Sequence, residues 1–163
     1  MGLIMNQFTK LENQISQLSQ KLNVNNINNQ QELKGKNWRY VGQVVNGLRE
    51  GKGIEYYNNG NRYEGDFRND KREGKGIYYY NREPFKGDRF EGDFRNGIAE
   101  GKGVYYYHNG DRYEGDYRDD KYEGKGIYYY NNGDRMMGNY LNGKPIGKHA
   151  LLTRDGIVQE IIY

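Results

Sequence analysis

Residues 63–80 read YEGDFRNDKREGKGIYYY, and variants of this stretch recur along most of the chain. The block begins in weaker form at Tyr40, recurs at Tyr63, Phe90 and Tyr113, and decays from Met136. Three of the four intervals are 23 residues, and the interval from 63 to 90 is 27 residues. A fixed period of this size is typical of a repeat array, in which each unit buries its surface only against its neighbours.

Residues within one block alternate as they do in a β-strand. Tyr63 and Phe67 are expected on one face of the strand, with the acidic residues between them on the other. The polar stretch 69–73 predicts a loop, and residues 74–80 predict the partner strand. Each repeat is therefore predicted to be a β-hairpin.

The glycines predict tight turns and close packing. Asn-Gly pairs, the strongest short-range hairpin signal, stand at 59–60, 109–110 and 132–133 and predict turns between repeats. Gly74 and Gly76 interrupt a strand, where glycine normally costs stability. We expect them to leave room for aromatic rings such as that of Tyr63 to lie across the backbone. The predicted fold is mostly β: an elongated, single-layer antiparallel sheet of about five hairpin repeats.

The first 23 residues carry an apolar seam spaced as in a coiled-coil helix. Its members are Ile4, Phe8, Leu11, Ile15, Leu18 and Leu22. The segment 1–23 is predicted to be an amphipathic helix, followed by a polar linker at 24–39 that is rich in Asn and Gln. Two interpretations stay open: the helix folds back to cover the array, or it docks on another protein or on its own copy.

Composition excludes several classes of function. The chain has no cysteine, so disulfides and thiolate metal sites are impossible. It contains no run of about 20 apolar residues and no secretory signal pattern, so we expect an intracellular protein. Residues 40–163 carry 20 basic and 20 acidic groups. A nucleic-acid surface usually concentrates one sign of charge, and this interleaved, neutral region is not expected to bind nucleic acid.

The block is similar to the MORN repeat, whose pattern is an aromatic-x-Gly start, a Gly-x-Gly centre and a turn glycine. The matching residues are Tyr40/Gly42/Gly51/Gly53/Gly60, Tyr63/Gly65/Gly74/Gly76/Gly87, Phe90/Gly92/Gly101/Gly103/Gly110 and Tyr113/Gly115/Gly124/Gly126/Gly133. A fifth unit keeps Gly138, Gly143, Gly147 and Gly156. It has Met136 in place of the opening aromatic residue and His149 in place of the second central glycine. The predicted units are 40–62, 63–89, 90–112, 113–135 and a degenerate 136–158, followed by a tail at 159–163.

The resemblance implies a non-enzymatic scaffold for protein assembly in cytoskeletal or ciliary (axonemal) settings, otherwise in the cytoplasm. Its partners would be other proteins of a larger assembly, and a homodimer through the N-terminal helix is an additional option. Some members of the family are assigned to phosphoinositide membranes, which makes a peripheral membrane-binding module the alternative. No cofactor is implied.

Two departures from the family pattern suggest binding residues. The second repeat carries four extra residues within 81–86, around Phe85, which is either a contact or a tolerated insertion. The strand aromatics include tyrosines where the family is typically polar, and this apolar row either stacks across strands or binds a partner. The predicted partner-binding residues are Phe8, Leu11, Ile15, Leu18, Tyr79, Tyr80, Phe85, Tyr106, Tyr107, Tyr129 and Tyr130.

Catalytic and metal sites are not predicted. A hydrolase needs a nucleophile beside a base, and His108 and His149 stand in a turn and in a degraded glycine position. Two isolated histidines are also a poor metal site. Acidic pairs such as Glu64 and Asp66 recur with the repeat opposite basic residues, which favours a solvated face of ion pairs over a two-carboxylate site.

Overall fold

The computed structural model describes residues 13, 14, 16, 17 and 30–163. Asn13, Gln14, Ser16 and Gln17 are helical and exposed. The predicted seam residues Phe8, Leu11, Ile15 and Leu18 lie outside the described residues, so the docking role of the N-terminal segment stays a prediction.

Residues 30–163 form one open antiparallel sheet of 12 strands, in which every strand pairs only with its neighbours along the chain. The strands are β1 Gln30–Lys34, β2 Trp38–Val45, β3 Leu48–Tyr57, β4 Arg62–Arg68, β5 Lys71–Tyr79, β6 Arg89–Arg95, β7 Ile98–Tyr106, β8 Arg112–Arg118, β9 Lys121–Tyr129, β10 Arg135–Leu141, β11 Lys144–Leu152 and β12 Val158–Ile162. The predicted array of hairpin repeats in a single antiparallel sheet is confirmed.

Strands extend beyond the predicted array at both ends. β1 lies inside the segment predicted as a linker at 24–39 and pairs with β2, where Leu33 lies opposite Tyr40. β12 covers most of the predicted tail at 159–163 and pairs with β11. Both expectations need correction, because each added strand satisfies the backbone groups that the neighbouring strand would otherwise leave unpaired.

The short and long turns have exchanged places relative to the prediction. The tight two-residue turns lie within the repeats, at Asn69–Asp70 for example, where both residues have positive φ of 48° and 68°. The predicted loop at 69–73 is therefore shorter, because β5 begins at Lys71. Between repeats the loop has three residues: the Gly60 amide donates to the Tyr57 carbonyl at 2.9 Å, and Gly60 has φ of 87°.

The core is a row of rings on one side of the sheet, which we call the aromatic face; it carries Tyr63, Phe67, Tyr78, Tyr80 and their repeat equivalents. The Tyr63 ring lies over Gly65 and Gly76, where an added Cβ would overlap it. It meets Phe67 edge-on at 5.2 Å and Phe94 of the next repeat at 4.9 Å. The sheet therefore needs no second layer to bury its largest side chains.

The central glycines divide into two roles. Gly76 makes room for a ring, as predicted, but Gly74 does not: its φ is 67°, and an added Cβ would face the Asp66 side chain at 3.2 Å. The expectation for Gly74 was wrong, because this position bends the strand and demands positive φ.

The degenerate fifth repeat preserves the same packing, but its ring comes from the second strand of the hairpin and not from the first. Met136 stands where the other repeats have the ring, and His149 stands where they have a glycine. The His149 ring lies over Gly138, in the space that a Cβ there would need. It meets Tyr140 and Tyr163 edge-on at 5.3 and 5.0 Å. His149 is therefore a packing residue.

Candidate functional site

The predicted tyrosines lie on opposite sides of the sheet. Tyr80, Tyr107 and Tyr130 lie on the aromatic face, whereas Tyr79, Tyr106 and Tyr129 lie on the other side. We call that other side the ionic face; it carries Glu64, Asp66, Lys75, Ile77, Tyr79 and their repeat equivalents. Because adjacent residues of a strand point to opposite faces, one surface cannot contain both sets.

An arginine from the neighbouring strand covers each predicted tyrosine of the ionic face. The guanidinium carbons lie 4.2 Å from the ring centre for Arg62 and Tyr79, 3.9 Å for Arg89 and Tyr106, and 4.1 Å for Arg112 and Tyr129. Such cation–π contacts contribute roughly 0.5–1 kcal/mol at exposed sites. These tyrosines therefore have a structural role; their partner-binding role stays a prediction.

Tyrosines on the aromatic face form a continuous row along the sheet. The successive ring-centre distances are 4.8 Å for Tyr78–Tyr80, 5.7 Å for Tyr80–Tyr105, 4.7 Å for Tyr105–Tyr107, 5.6 Å for Tyr107–Tyr128 and 4.8 Å for Tyr128–Tyr130. Phe85, 52% exposed in the loop of the second repeat, lies 6.0 Å from Tyr80. Phe85 therefore adjoins this row, and sequence reasoning missed the alternate members Tyr78, Tyr105 and Tyr128.

The tyrosine row borders a cup of about 460 Å³, and the buried Ala99 is among the residues that line it. The equivalent position holds a larger residue in every other repeat: Arg49, Arg72, Tyr122 and Pro145. Ala99 is the smallest residue in this series, so the space that a side chain fills elsewhere stays open here. The cup was not foreseen from the sequence, although the break in this series was its available signal.

The wall of the cup contains a hydroxyl without a partner. Tyr117 is 5% exposed, and its hydroxyl makes no hydrogen bond within residues 30–163. Burial raises the pKa of Tyr117 above its ordinary value and that of Tyr80 to about 12. Both phenols therefore stay protonated at neutral pH and can donate to a bound group. A buried polar group without a partner is uncommon in native structures.

Two charged side chains at the cup, Arg72 and Asp120, are already engaged. Arg72 contacts Glu55 at 3.5 Å and the Tyr57 hydroxyl, and its guanidinium also donates to the Gly97 carbonyl at 3.5 Å. On the opposite rim, Asp120 accepts a hydrogen bond from the Ala99 amide at 2.7 Å. The cup is thus an aromatic cavity with a fixed charged rim, suited to an apolar or aromatic side chain that also carries a polar atom.

Ion pairs cross the ionic face from strand to strand. Lys52 lies 2.8 Å from Asp66, Lys75 lies 2.6 Å from Asp93, and Lys102 lies 2.5 Å from Asp116. Arginine–glutamate pairs run beside them, such as Arg89 and Glu91 at 2.7 Å. A shallow trough of about 840 Å³ lies on this face, and its lining includes the central glycines Gly92, Gly103, Gly115, Gly126 and Gly138. The recurring carboxylates are accounted for by these pairs.

The most enzyme-like cluster has a structural role. Asp88 is buried and accepts hydrogen bonds from the Tyr105 hydroxyl at 2.8 Å and the His108 amide at 2.8 Å. Asp111 repeats the arrangement with Tyr128 and Asn131. The cluster therefore ties consecutive turns together. Among the described residues, no group of three or more acidic or histidine side chains is placed to hold a metal, and no helix is long and apolar enough to span a membrane.

Comparison with protein-family models matches the MORN repeat at residues 40–62, 63–82, 90–112 and 113–135. The chain belongs to the MORN-repeat family. MORN repeats generally mediate protein–protein or membrane–lipid interactions, and proteins built from them are generally non-enzymatic binding modules. The four matched units fall within the four complete hairpin repeats, and the family model leaves the degenerate fifth repeat unmatched.

One solved structure similar to this MORN chain is the SAS-4 (dCPAP) TCP domain in complex with a proline-rich motif of Ana2 (dSTIL), from Drosophila melanogaster. The two are 15% identical, the alignment covers 82% of this chain and 90% of that chain, and the TM-score is 0.31. No curated protein sequence matches this chain.

Proposed function

We propose that this MORN chain is a non-enzymatic scaffold that binds a protein partner on its aromatic face and helps to assemble a cytoskeletal or ciliary complex. The observation that carries the proposal is the cup over Ala99, with its unpartnered Tyr117 hydroxyl. The adjoining tyrosine row supplies a large apolar area with polar tips, which is the composition of residues that dominate protein interfaces. The cytoskeletal or ciliary setting rests on the family resemblance alone.

The test fills the cup with a residue that the array already uses at the equivalent position. Ala99→Arg places there the side chain of Arg49 and Arg72. Asp120 is available to the new guanidinium, because the equivalent Asp70 lies 3.0 Å from Arg49. We expect this full-length variant to fold and to lose the proteins that co-purify with the wild type, as read by quantitative mass spectrometry.

The matched control changes the neighbouring residue. Ile98→Lys introduces a cation beside the cup but on the opposite side of β7, and lysine occurs at the equivalent positions 71, 121 and 144. We expect Ile98→Lys to keep every co-purifying protein. Retention of the same proteins by Ala99→Arg would disprove the aromatic-face proposal, and a retained set without cytoskeletal or ciliary components would disprove the proposed setting.

Phosphoinositide binding is the second candidate, favoured by the family but not by the distribution of charge. Basic residues of the ionic face are mostly paired with carboxylates, and residues 40–163 are neutral overall. We expect the full chain not to sediment with phosphoinositide liposomes. Strong binding that weakens steeply with salt would favour the membrane function instead, because screening acts over about 8 Å at physiological ionic strength.

A further inference from the structure

Both rows of ion pairs on the ionic face are interrupted at β10, and the lysine row resumes beyond it, where Lys148 lies 3.2 Å from Glu160. In the lysine row, Lys102 faces Asp116, but the next lysine, Lys125, faces Asn139. In the arginine row, Arg112 lies 3.7 Å from Glu114. The next arginine is Arg135, and Met137 stands where the glutamate would be. Two carboxylates are therefore missing from one strand, on one face.

The missing carboxylates leave two cations without ion-pair partners. No described residue forms an ion pair with Lys125 or Arg135, and both are exposed. They bracket an apolar centre, because Met137 pairs with Ile127 directly between them in the β9–β10 register. Met137 is 36% exposed, and Lys125, Ile127, Met137 and Asn139 all line the 840 Å³ trough.

The spacing of these groups matches an extended peptide. In the register of β9 and β10, Arg135 is four residues from Asn139, the partner of Lys125. Four residues of extended chain span about 13 Å, with the side chains of residues one, three and five on the same side. A peptide along the trough can therefore place two carboxylates on Lys125 and Arg135 and an apolar side chain between Ile127 and Met137.

We propose that the β9–β10 end of the trough is a second binding site, which takes an extended acidic peptide segment with Asp or Glu at its first and fifth residues and an apolar third residue. Charge complementarity favours a peptide over a membrane. The unpaired cations form a short line beside neutralised pairs such as Lys102–Asp116, whereas a lipid surface needs a broad basic patch. This site is on the opposite face from the Ala99 cup and does not depend on the proposed function.

The probe is a fluorescent peptide, Glu-Ser-Leu-Ser-Glu, with both ends blocked, titrated with the full-length protein and followed by fluorescence polarisation. We expect saturable binding that weakens as salt is raised. Replacing both glutamates with glutamine, or leucine with serine, should weaken binding by about tenfold or more, equivalent to about 1.4 kcal/mol. Equal binding of all three peptides would overturn the proposal.

The decisive variant restores the two carboxylates that the other repeats possess. Met137→Glu with Asn139→Asp recreates the pattern of Glu114 and Asp116. Because the change copies a neighbouring repeat, the sheet should fold with unchanged circular dichroism, and peptide affinity should fall by about tenfold or more. Unchanged affinity in the folded double variant would disprove the site.

Three further measurements separate the alternatives. Asn58→Asp with Asn59→Asp adds the same charge at a distant exposed turn and should leave peptide affinity unchanged; an equal loss would show a non-specific charge effect and overturn the site. The reverse change, Glu114→Met with Asp116→Asn, should free Lys102 and Arg112 and create a second equivalent of peptide binding. Binding to phosphatidylserine vesicles without binding to the peptide would assign the surface to membranes and overturn the peptide proposal.

Discussion

At the scale of single residues, packing in this sheet depends on rings laid over bare backbone. The Phe90 ring covers Gly92 and Gly103, just as Tyr63 covers its own glycine pair. A ring in this position shields backbone from water and fills the space that a second layer would otherwise fill. The identity of the central glycine is therefore a packing requirement.

Replacing Gly103 with Val is expected to destabilise the third repeat. An added Cβ at residue 103 would overlap the Phe90 ring and lie 3.2 Å from the Tyr117 ring. Overpacking of this kind typically costs about 1–3 kcal/mol of folding free energy, measurable by chemical denaturation.

A matched glycine provides the control. Gly97 has φ of 95° with open space around its Cβ position, and the equivalent turn residues are Asp70 and Asp120. Gly97→Asp should therefore cost less stability than Gly103→Val, because the new side chain meets only the strain of positive φ and overlaps no ring. Equal effects of Gly97→Asp and Gly103→Val would contradict the ring-over-backbone account.

Replacing His149 with Phe is expected to stabilise the fold. The imidazole is 2% exposed, and neither ring nitrogen has a hydrogen-bond partner within residues 30–163. An unsatisfied buried polar group costs about 1–3 kcal/mol, and phenylalanine keeps an aromatic ring over Gly138. The measurement is the free energy of unfolding.

His149→Ala serves as the comparison, because it removes the ring and leaves a cavity. Removing a buried phenylalanine ring typically lowers the free energy of unfolding by about 3–5 kcal/mol. His149→Ala is likewise expected to destabilise the fold. A destabilising His149→Phe would show that a hydrogen bond to the imidazole matters more than the ring packing.

At the scale of elements, the long loop of the second repeat is closed like the short loops. The Gly87 amide donates to the Tyr80 carbonyl, and the Tyr80 amide donates to the Asp88 carbonyl, both at 3.0 Å. The three-residue loop at 108–110 is closed by the same two bonds at the same distances. The four extra residues are thus inserted into the loop without changing the hydrogen bonds that close it.

Shortening this loop should leave the sheet intact. Replacing residues 81–86 with Asn-Asn, as at Asn131 and Asn132, keeps Gly87 in place and removes Phe85. Because loop-closure entropy changes only slowly with length, we expect stability to change by less than about 1 kcal/mol. Circular dichroism and thermal unfolding measure this, and loss of the sheet signal would contradict it.

The sequence predicted the strands better than the turns. Alternation of aromatic and acidic residues from Tyr63 to Arg68 predicts a strand because the side-chain period of a strand is two. The type of each turn depends on the backbone twist of the strands that it joins. Gly60 has the positive φ that the sequence suggested, but Asn59 does not, and the two-residue turn with positive φ at both positions is Asn69–Asp70. Sequence periodicity carries no direct information about that twist.

At the scale of the whole molecule, tyrosine burial predicts sensitivity to alkali. Burial raises the pKa of Tyr40, Tyr80 and Tyr140 to about 12, above the ordinary value of 10.0. Their contribution to stability is fully present below pH 10 and is lost as the pH rises from about 10 to about 12, because the unfolded chain releases these protons first. We expect the sheet to unfold cooperatively in that range, with phenolate absorbance and circular dichroism changing together.

Tyr80→Phe tests this explanation with little other change, since burial and nearby charges, and no hydrogen bond, shift the pKa of Tyr80. The variant removes one elevated phenol and should shift the alkaline unfolding midpoint to higher pH. A midpoint at the same pH would indicate that Tyr80 titrates normally in the folded protein.

The sequence by itself determined the repeat array, the strands within it, the family and the alternation of aromatic and charged residues, because these depend on local periodicity. Tertiary structure decided which tyrosines share a surface, that Ala99 leaves a cup, and that Lys125 and Arg135 lose their carboxylates on the same face. Those features depend on register and on the neighbour across each strand pair, and register joins residues that no spacing along the chain identifies.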